Sequence, residues 1–273
     1  EPVKFNDIHN YPGPFINKEK FDGYLSIGLT DQEKIFKGFS GSTPGKNVLP
    51  GLMSFVSELG YGSLPDLTLI NKLFKKDGNS LTPAYRYHKR IHRQQKQVIF
   101  ESGFNEMYPN MQKFYLDQQE IHGNSNKRMI EAVRSNPNIK GYCIHALIAG
   151  DWILGAGLID LWRNPKNDVY QRTKEGNEPR LLSIRTFPRN VFSDEMTNIK
   201  LVGINDFNAI RGQLTIQVLD ENGIIVFSKT ESQDFKSGIH ELFNKKISTD
   251  NLEGKYQVNA FIKNGDDMIL AQN

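Results

Sequence analysis

From Leu52 to Glu58 apolar residues crowd together and stop at a single carboxylate, and Gly60-Tyr61-Gly62 follows at once. The run predicts a buried strand with Glu58 at its tip and a glycine-rich turn behind it. Burying an unpaired carboxylate is costly, so a charge at the end of such a strand calls for a reason. Upstream, Val3 to Asn6 reads as a short strand. It leads into Asp7-Ile8-His9-Asn10-Tyr11 and the loop-forcing Pro12-Gly13-Pro14. From there to Asn47 the pattern reads as one long irregular stretch. Downstream, Leu67 to Lys76 has helical spacing. Pro83 opens a second helix running to about Ser102, proline being suited to a first helical position. A third helix spans about Phe114 to Ser135, with Ile121, Met129, Ile130 and Val133 expected against the core. A strand over Gly141 to Leu147 contains Cys143, expected as a small buried hydrophobe, and Ala149-Gly150-Asp151-Trp152 follows it.

From about Leu181 the pattern changes to strands without helices. The expected strands are Asn198 to Asn205, Gln213 to Asp220, Ile224 to Lys229, Ile239 to Ile247, Tyr256 to Lys263 and Met268 to Ala271. Asp220-Glu221-Asn222-Gly223 is a hairpin signal. The expected class is α/β followed by all-β. Residues 1–180 alternate strands and helices, as a parallel sheet or barrel does, and residues 181–273 form an antiparallel β-sandwich of immunoglobulin type. In the first part, the strand ends collect unusual side chains: His9 and Tyr11, then Glu58, then His145, Asp151 and Trp152. In barrels, chemistry gathers at carboxyl-terminal strand ends.

Composition narrows the class. Of 273 residues 38% are hydrophobic and 24% charged, as in an ordinary globular protein. Mean hydropathy is -0.52 and no apolar stretch is long enough to span a bilayer, so no membrane partner is expected. A net charge of +3 is too small to imply nucleic acid. The basic cluster from Arg86 to Arg93 has helical spacing and reads as a solvated helix face. The single cysteine excludes an internal disulfide and leaves the compartment open. The start at Glu1-Pro2-Val3, without methionine or signal peptide, is expected of a processed or excised piece.

Gly41-Ser42-Thr43-Pro44-Gly45-Lys46 has the wrong spacing for a phosphate loop, and Glu120-Ile121-His122 lacks the second histidine of a zinc helix. No metal or cofactor is expected. A strand-tip carboxylate among aromatic and polar groups suits glycoside chemistry: aromatic faces stack on sugar rings, polar groups bond hydroxyls, and the carboxylate attacks the anomeric carbon.

These residues resemble glycoside hydrolase family 2, the β-galactosidases, β-glucuronidases and β-mannosidases, over nearly the whole chain. Ser57-Glu58-Leu59-Gly60-Tyr61-Gly62 is similar to the family's S-E-x-G segment on the seventh barrel strand, whose glutamate is the nucleophile. Asp7 to Tyr11 resembles the segment after the sixth strand. Gly141 to Leu147, continuing through Trp152 to Asp160, resembles the eighth strand and its loop, with His145 where the family often has tryptophan. Asn164-Pro165-Lys166 also fits. The resemblance implies the last strands of a (β/α)8 barrel, then an immunoglobulin-like domain. It implies a retaining β-glycosidase with Glu58 as nucleophile and His9, Asn10, Tyr11, Tyr61, His145, Asp151 and Trp152 around a β-linked glycoside. Structural alternatives stand beside three of these: core packing for Trp152 and for His145, and a turn role for Tyr61.

A retaining glycosidase needs a second carboxyl group about 5–5.5 Å from the first. The resemblance places that acid/base after an asparagine on the fourth strand, which has no counterpart here. Either this chain is a carboxyl-terminal part of a longer enzyme, which supplies the amino-terminal barrel half and sugar-binding domains, or a local residue substitutes, Asp151 first. The alternative class is a non-catalytic carbohydrate-binding or scaffold piece.

Overall fold

A computed structural model describes residues 4–45, 47–148 and 155–273. The chain divides into two units, Glu1–Val133 with Asn138–Gly176, and Arg134–Pro137 with Asn177–Asn273. The first is mixed α/β and the second is built of strands alone.

In the first unit, β1 (Asn6–Asn10), β2 (Ser54–Leu59) and β3 (Ile139–Ile144) form a parallel sheet in the order β1-β2-β3. The helices α1 (Lys18–Leu25) and α2 (Asp31–Phe36) connect the first two strands. The helices α3 (Leu67–Lys76), α4 (Pro83–Glu101) and α5 (Met111–Arg134) connect the next two, and α6 (Asn167–Gly176) follows β3. The stretch expected to be irregular up to Asn47 therefore contains two helices. Their signals are local. Asn17 caps α1 by accepting from the Lys20 amide, and Thr30 and Glu33 form a reciprocal capping box on α2. Ile8, Val56 and Leu59 from the sheet pack with Phe21, Tyr24 and Leu25 of α1 and Met129, Ile130 and Val133 of α5. A second cluster joins Leu67, Ile70 and Phe74 of α3 to Tyr85 of α4 and Met111 and Tyr115 of α5. The long α5 thus serves both cores, one at each end. Ile121, between them, is 38% exposed rather than a core contact, because neither cluster reaches the middle of the helix on its side.

Two further expectations are corrected in the sheet. The first strand begins at Asn6 rather than ending there, with Asn6 and Ile8 buried on alternate positions. Cys143 is exposed, while Tyr142 and Ile144 on either side of it take the half-buried positions packed against the main core.

The second unit holds β4 (Arg180–Phe187), β5 (Met196–Asn205), β6 (Ile210–Asp220), β7 (Ile225–Phe235), β8 (Gly238–Ser248), β9 (Tyr256–Lys263) and β10 (Ile269–Gln272). The sheets run β4-β5-β8 and β10-β9-β6-β7, every pairing antiparallel. Leu182, Ile199, Leu201 and Phe243 of one sheet share a core with Leu214, Ile216, Val218, Phe235, Ala260 and Ile262 of the other. On β6, Leu214, Ile216 and Val218 are buried at every second position, as a two-sheet sandwich requires. Asp220 and Ile224 close the β6–β7 hairpin, with Gly223 at φ +79°.

Candidate active site

Parallel pairing sets Glu58 of β2 beside His9 of β1. Between Phe55 and Glu58 the strand β2 spends one residue more than β1 does between Asp7 and His9. The pairing with β3 slips across the same place, between Val56 and Leu59. Both neighbours therefore see a bulge at Ser57-Glu58. A bulge lets two successive residues leave the core side together. Val56 and Leu59 are buried, while Ser57 and Glu58 are both half-buried.

On this opened tip the side chains converge. The Tyr11 hydroxyl donates a hydrogen bond to Glu58 Oε2. His9 Nδ1 lies 3.7 Å from the same oxygen, and His9 Nε2 lies 3.9 Å from Asp7 Oδ2. Ser57 Oγ donates to the Asp7 carboxylate and lies 3.3 Å from the Ile8 carbonyl. The Tyr11 and His145 rings meet edge to face with centroids 6.1 Å apart. Partial burial of the hydroxyl, then the hydrogen bond to Glu58 and its charge, push the Tyr11 phenol up to about 12, although 49% of the residue is exposed. At neutral pH Tyr11 is therefore the proton donor and Glu58 the acceptor. The Glu58 side chain keeps 38% of its surface open. Its ion-pair and hydrogen-bond partners among the described residues are Tyr11 and His9, neither of them a carboxylic acid.

The turn behind Glu58 is held from three sides. A Cβ on Gly60 would stand 2.8 Å from the His145 carbonyl oxygen, so glycine lets the β2 and β3 tips close. The Tyr61 amide donates to Asn126 Oδ1 of α5 at 3.2 Å, and Asn126 donates on to Thr173 of α6. Ser63 is tied at every polar atom. Its amide donates to the Gly155 carbonyl at 2.9 Å, its hydroxyl bonds His122 Nδ1 at 2.9 Å, and its carbonyl accepts from Lys166 Nζ at 2.6 Å. Lys166 is 3% exposed. Burial brings its amine down to about 7 against the opposing charge of Asp160. Burial and then the Lys166 charge push the His122 imidazole down to about 3.

Of the eight residues singled out from sequence, His9, Tyr11, Glu58 and His145 meet at the strand tips. Asn10 is half-buried and accepts from the Tyr24 hydroxyl at 2.7 Å. The Tyr61 ring lies edge to face against His122, with centroids 5.9 Å apart, beside the main core. Asp151 and Trp152 lie outside the described residues. Asp7, Ser57, Ser63 and His122 were not singled out. Lys166 was read only as part of Asn164-Pro165-Lys166. No group of three or more His, Cys, Asp or Glu among the described residues is arranged to hold a metal ion, and no described helix is long and apolar enough to cross a membrane.

No protein-family profile matches the sequence, and no curated protein does. Solved structures do match in fold. A β-D-mannosidase from Dictyoglomus thermophilum superposes with a TM-score of 0.60 at 18% identity, over 100% of this chain and 30% of that one. The exo-chitosanase of Amycolatopsis orientalis superposes with a TM-score of 0.54 at 15% identity, over 99% of this chain and 30% of that one. This chain thus spans about a third of the length of these relatives. Over that stretch its fold is the one found in solved glycoside hydrolase family 2 glycosidases, the group that its sequence resembles.

Proposed function

We propose that residues 1–273 are the carboxyl-terminal part of a retaining β-glycosidase. On this reading β1, β2 and β3 are the last strands of a (β/α)8 barrel, and residues 181–273 are an immunoglobulin-like sandwich that follows it in the sequence. The observation that carries the proposal is the half-open Glu58 carboxylate on a bulged strand tip, flanked by Tyr11 and His9. Glu58 attacks the anomeric carbon as the glycosidic C–O bond breaks, giving a glycosyl ester that water then hydrolyses. Tyr11 holds the carboxylate in one rotamer and stabilises it again when it leaves. His145 and Tyr11 offer edge and face to the sugar. On this reading the longer chain supplies the acid that protonates the leaving oxygen, and Asp151, which lies outside the described residues, is the alternative within residues 1–273. Sugar-binding domains of that longer chain complete the pocket.

The test uses the full-length protein on aryl β-glycosides, the mannoside and glucosaminide among them. Glu58→Gln is expected to abolish turnover while leaving the thermal midpoint unchanged. A 2-deoxy-2-fluoro glycoside with a good leaving group is expected to label the peptide that contains Glu58. Retained turnover in Glu58→Gln, or a label on another peptide, removes the nucleophile assignment. Glycan binding without turnover of any aryl glycoside supports the second reading, a carbohydrate-binding module.

A further inference from the structure

Residues 67–101 carry eight Lys and Arg against two Asp and Glu, a local charge of +6 in a chain whose net charge is +3, so the remaining sequence is acidic overall. On α4 the cations are Arg86, Lys89, Arg90, Arg93 and Lys96, all exposed. At 3.6 residues per turn they fall within an arc of about 120° and extend about 15 Å along the helix. The opposite face is spent on the core through Tyr85 and His88, with Ile91 and Ile99 packed beside them. Lys72, Lys75 and Lys76 are exposed on the adjoining α3.

Helix stability does not account for the stripe. The α4 stripe starts in the first turns, where the helix end is already positive, while the first turn has no acidic residue and the last turn no basic one. Neighbours three and four apart repel one another along it. The two acids of the segment are otherwise engaged: Asp77 accepts from the Trp162 indole and Glu101 from Gln97. Among the described residues, none of the five α4 cations is ion-paired. Elsewhere in the same unit Lys113, Lys127 and Arg128 each meet a carboxylate.

We infer that the cationic face of α4 is a docking strip for a linear acidic polysaccharide, one bearing uronate or sulfate groups. A narrow line of cations along one helix matches a chain with regularly spaced anions. A bilayer-docking helix turns a broad apolar face outward, whereas here the cationic arc carries one large apolar side chain, Phe100, 70% exposed at its far end. The choice of a glycan over other linear polyanions rests on the glycosidase reading above. The strip would anchor the enzyme to a polymeric substrate.

The experiment measures retention of the full-length protein on immobilised polygalacturonate and on chondroitin sulfate across a salt series. Single-stranded DNA and anionic phospholipid vesicles run in parallel. The triple variant Arg86→Glu, Lys89→Glu, Arg93→Glu changes only exposed positions outside the candidate active site. Wild type is expected to bind at least one acidic glycan with steep salt dependence, and the variant to lose roughly tenfold or more in affinity, with thermal midpoint and aryl glycoside turnover unchanged. Which glycan binds separates carboxylate from sulfate recognition. Equal binding by variant and wild type, tighter binding to DNA or vesicles, or no binding at all overturns the inference. Retention and turnover are read separately. A protein retained through α4 that hydrolyses no aryl glycoside fails the glycosidase reading alone. One that hydrolyses them and is not retained fails this inference alone.

Discussion

Tyr11 and Lys166 act on the same carboxylate from opposite ends of its support. Tyr11 touches Glu58 directly, and a hydrogen bond to a charged group contributes about 1.5–3 kcal/mol. Tyr11→Phe removes that bond and keeps the ring. In the full-length protein kcat is expected to fall roughly 10- to 100-fold with little change in thermal midpoint, since half of the residue is exposed. An unchanged kcat sinks the idea that Tyr11 orients Glu58. Lys166 works through the backbone, by holding the Ser63 and Gly155 carbonyls. Its amine titrates near 7 in the folded chain because it is buried, and in the usual lysine range when unfolded. Between those values the unfolded chain binds the proton and the folded chain does not. Stability tied to Lys166 therefore rises with pH from about 7 to about 10, and the full cost of a buried cation is present below that window. Lys166→Met removes this titration. Denaturation midpoints across that range are expected to climb for wild type relative to the variant, and parallel profiles would contradict the assignment. His122 drops out of this window, because burial holds it neutral down to about 3.

At the scale of elements, the bulge in β2 does what sequence could not announce. Strict alternation after Val56 would turn only one of Ser57 and Glu58 away from the core, whereas the extra residue frees both. A bulge depends on both neighbouring strands, so nothing within Leu52 to Leu59 specifies it. What was legible had strong local signals. The helix α3 has the expected bounds, α4 opens at Pro83 behind its Thr82 cap, and β9 spans Tyr256–Lys263 as its pattern requires. Of the two short helices that escaped notice, α2 has no buried residue and is held by its capping box, whereas α1 buries Phe21, Tyr24 and Leu25 but spans only eight residues between loops. The convergence of His9, Tyr11, Glu58 and His145 was readable as three strand ends in a parallel order. The Lys166–Ser63–His122 clamp was not, since its members are separated by 59 and 103 positions and joined only by the fold. The bulged tip also depends on Gly60. In Gly60→Ala the new Cβ meets the His145 carbonyl, a backbone atom that cannot turn aside. The full-length variant is expected to lose about 1–3 kcal/mol of stability, and proportionally more activity, since the Glu58 and His145 tips are pushed apart. Wild-type stability in calorimetry would refute that close approach.

At the scale of the whole molecule, the two units face different folding problems. The strand-built unit closes its core within itself, because Leu182, Leu214, Phe235, Phe243 and Ile262 all come from its own two sheets. Residues 177–273 alone are expected to unfold in one cooperative transition, followed by circular dichroism in urea. The α/β unit carries a three-stranded parallel sheet in which β1 and β3 each pair on one side only, among the described residues. Parallel sheets occur almost only with both faces covered, and unpaired edges recruit further strands. If the remaining barrel strands lie in a longer chain, residues 1–176 alone should self-associate through those edges. They should become monomeric only when the preceding part of that chain is co-expressed. Size-exclusion chromatography decides between the outcomes. A stable monomer of residues 1–176 would mean that the three strands are a complete sheet, and the barrel would have to be given up. Self-association relieved by the added part would support the barrel reading, in which that part supplies the remaining strands.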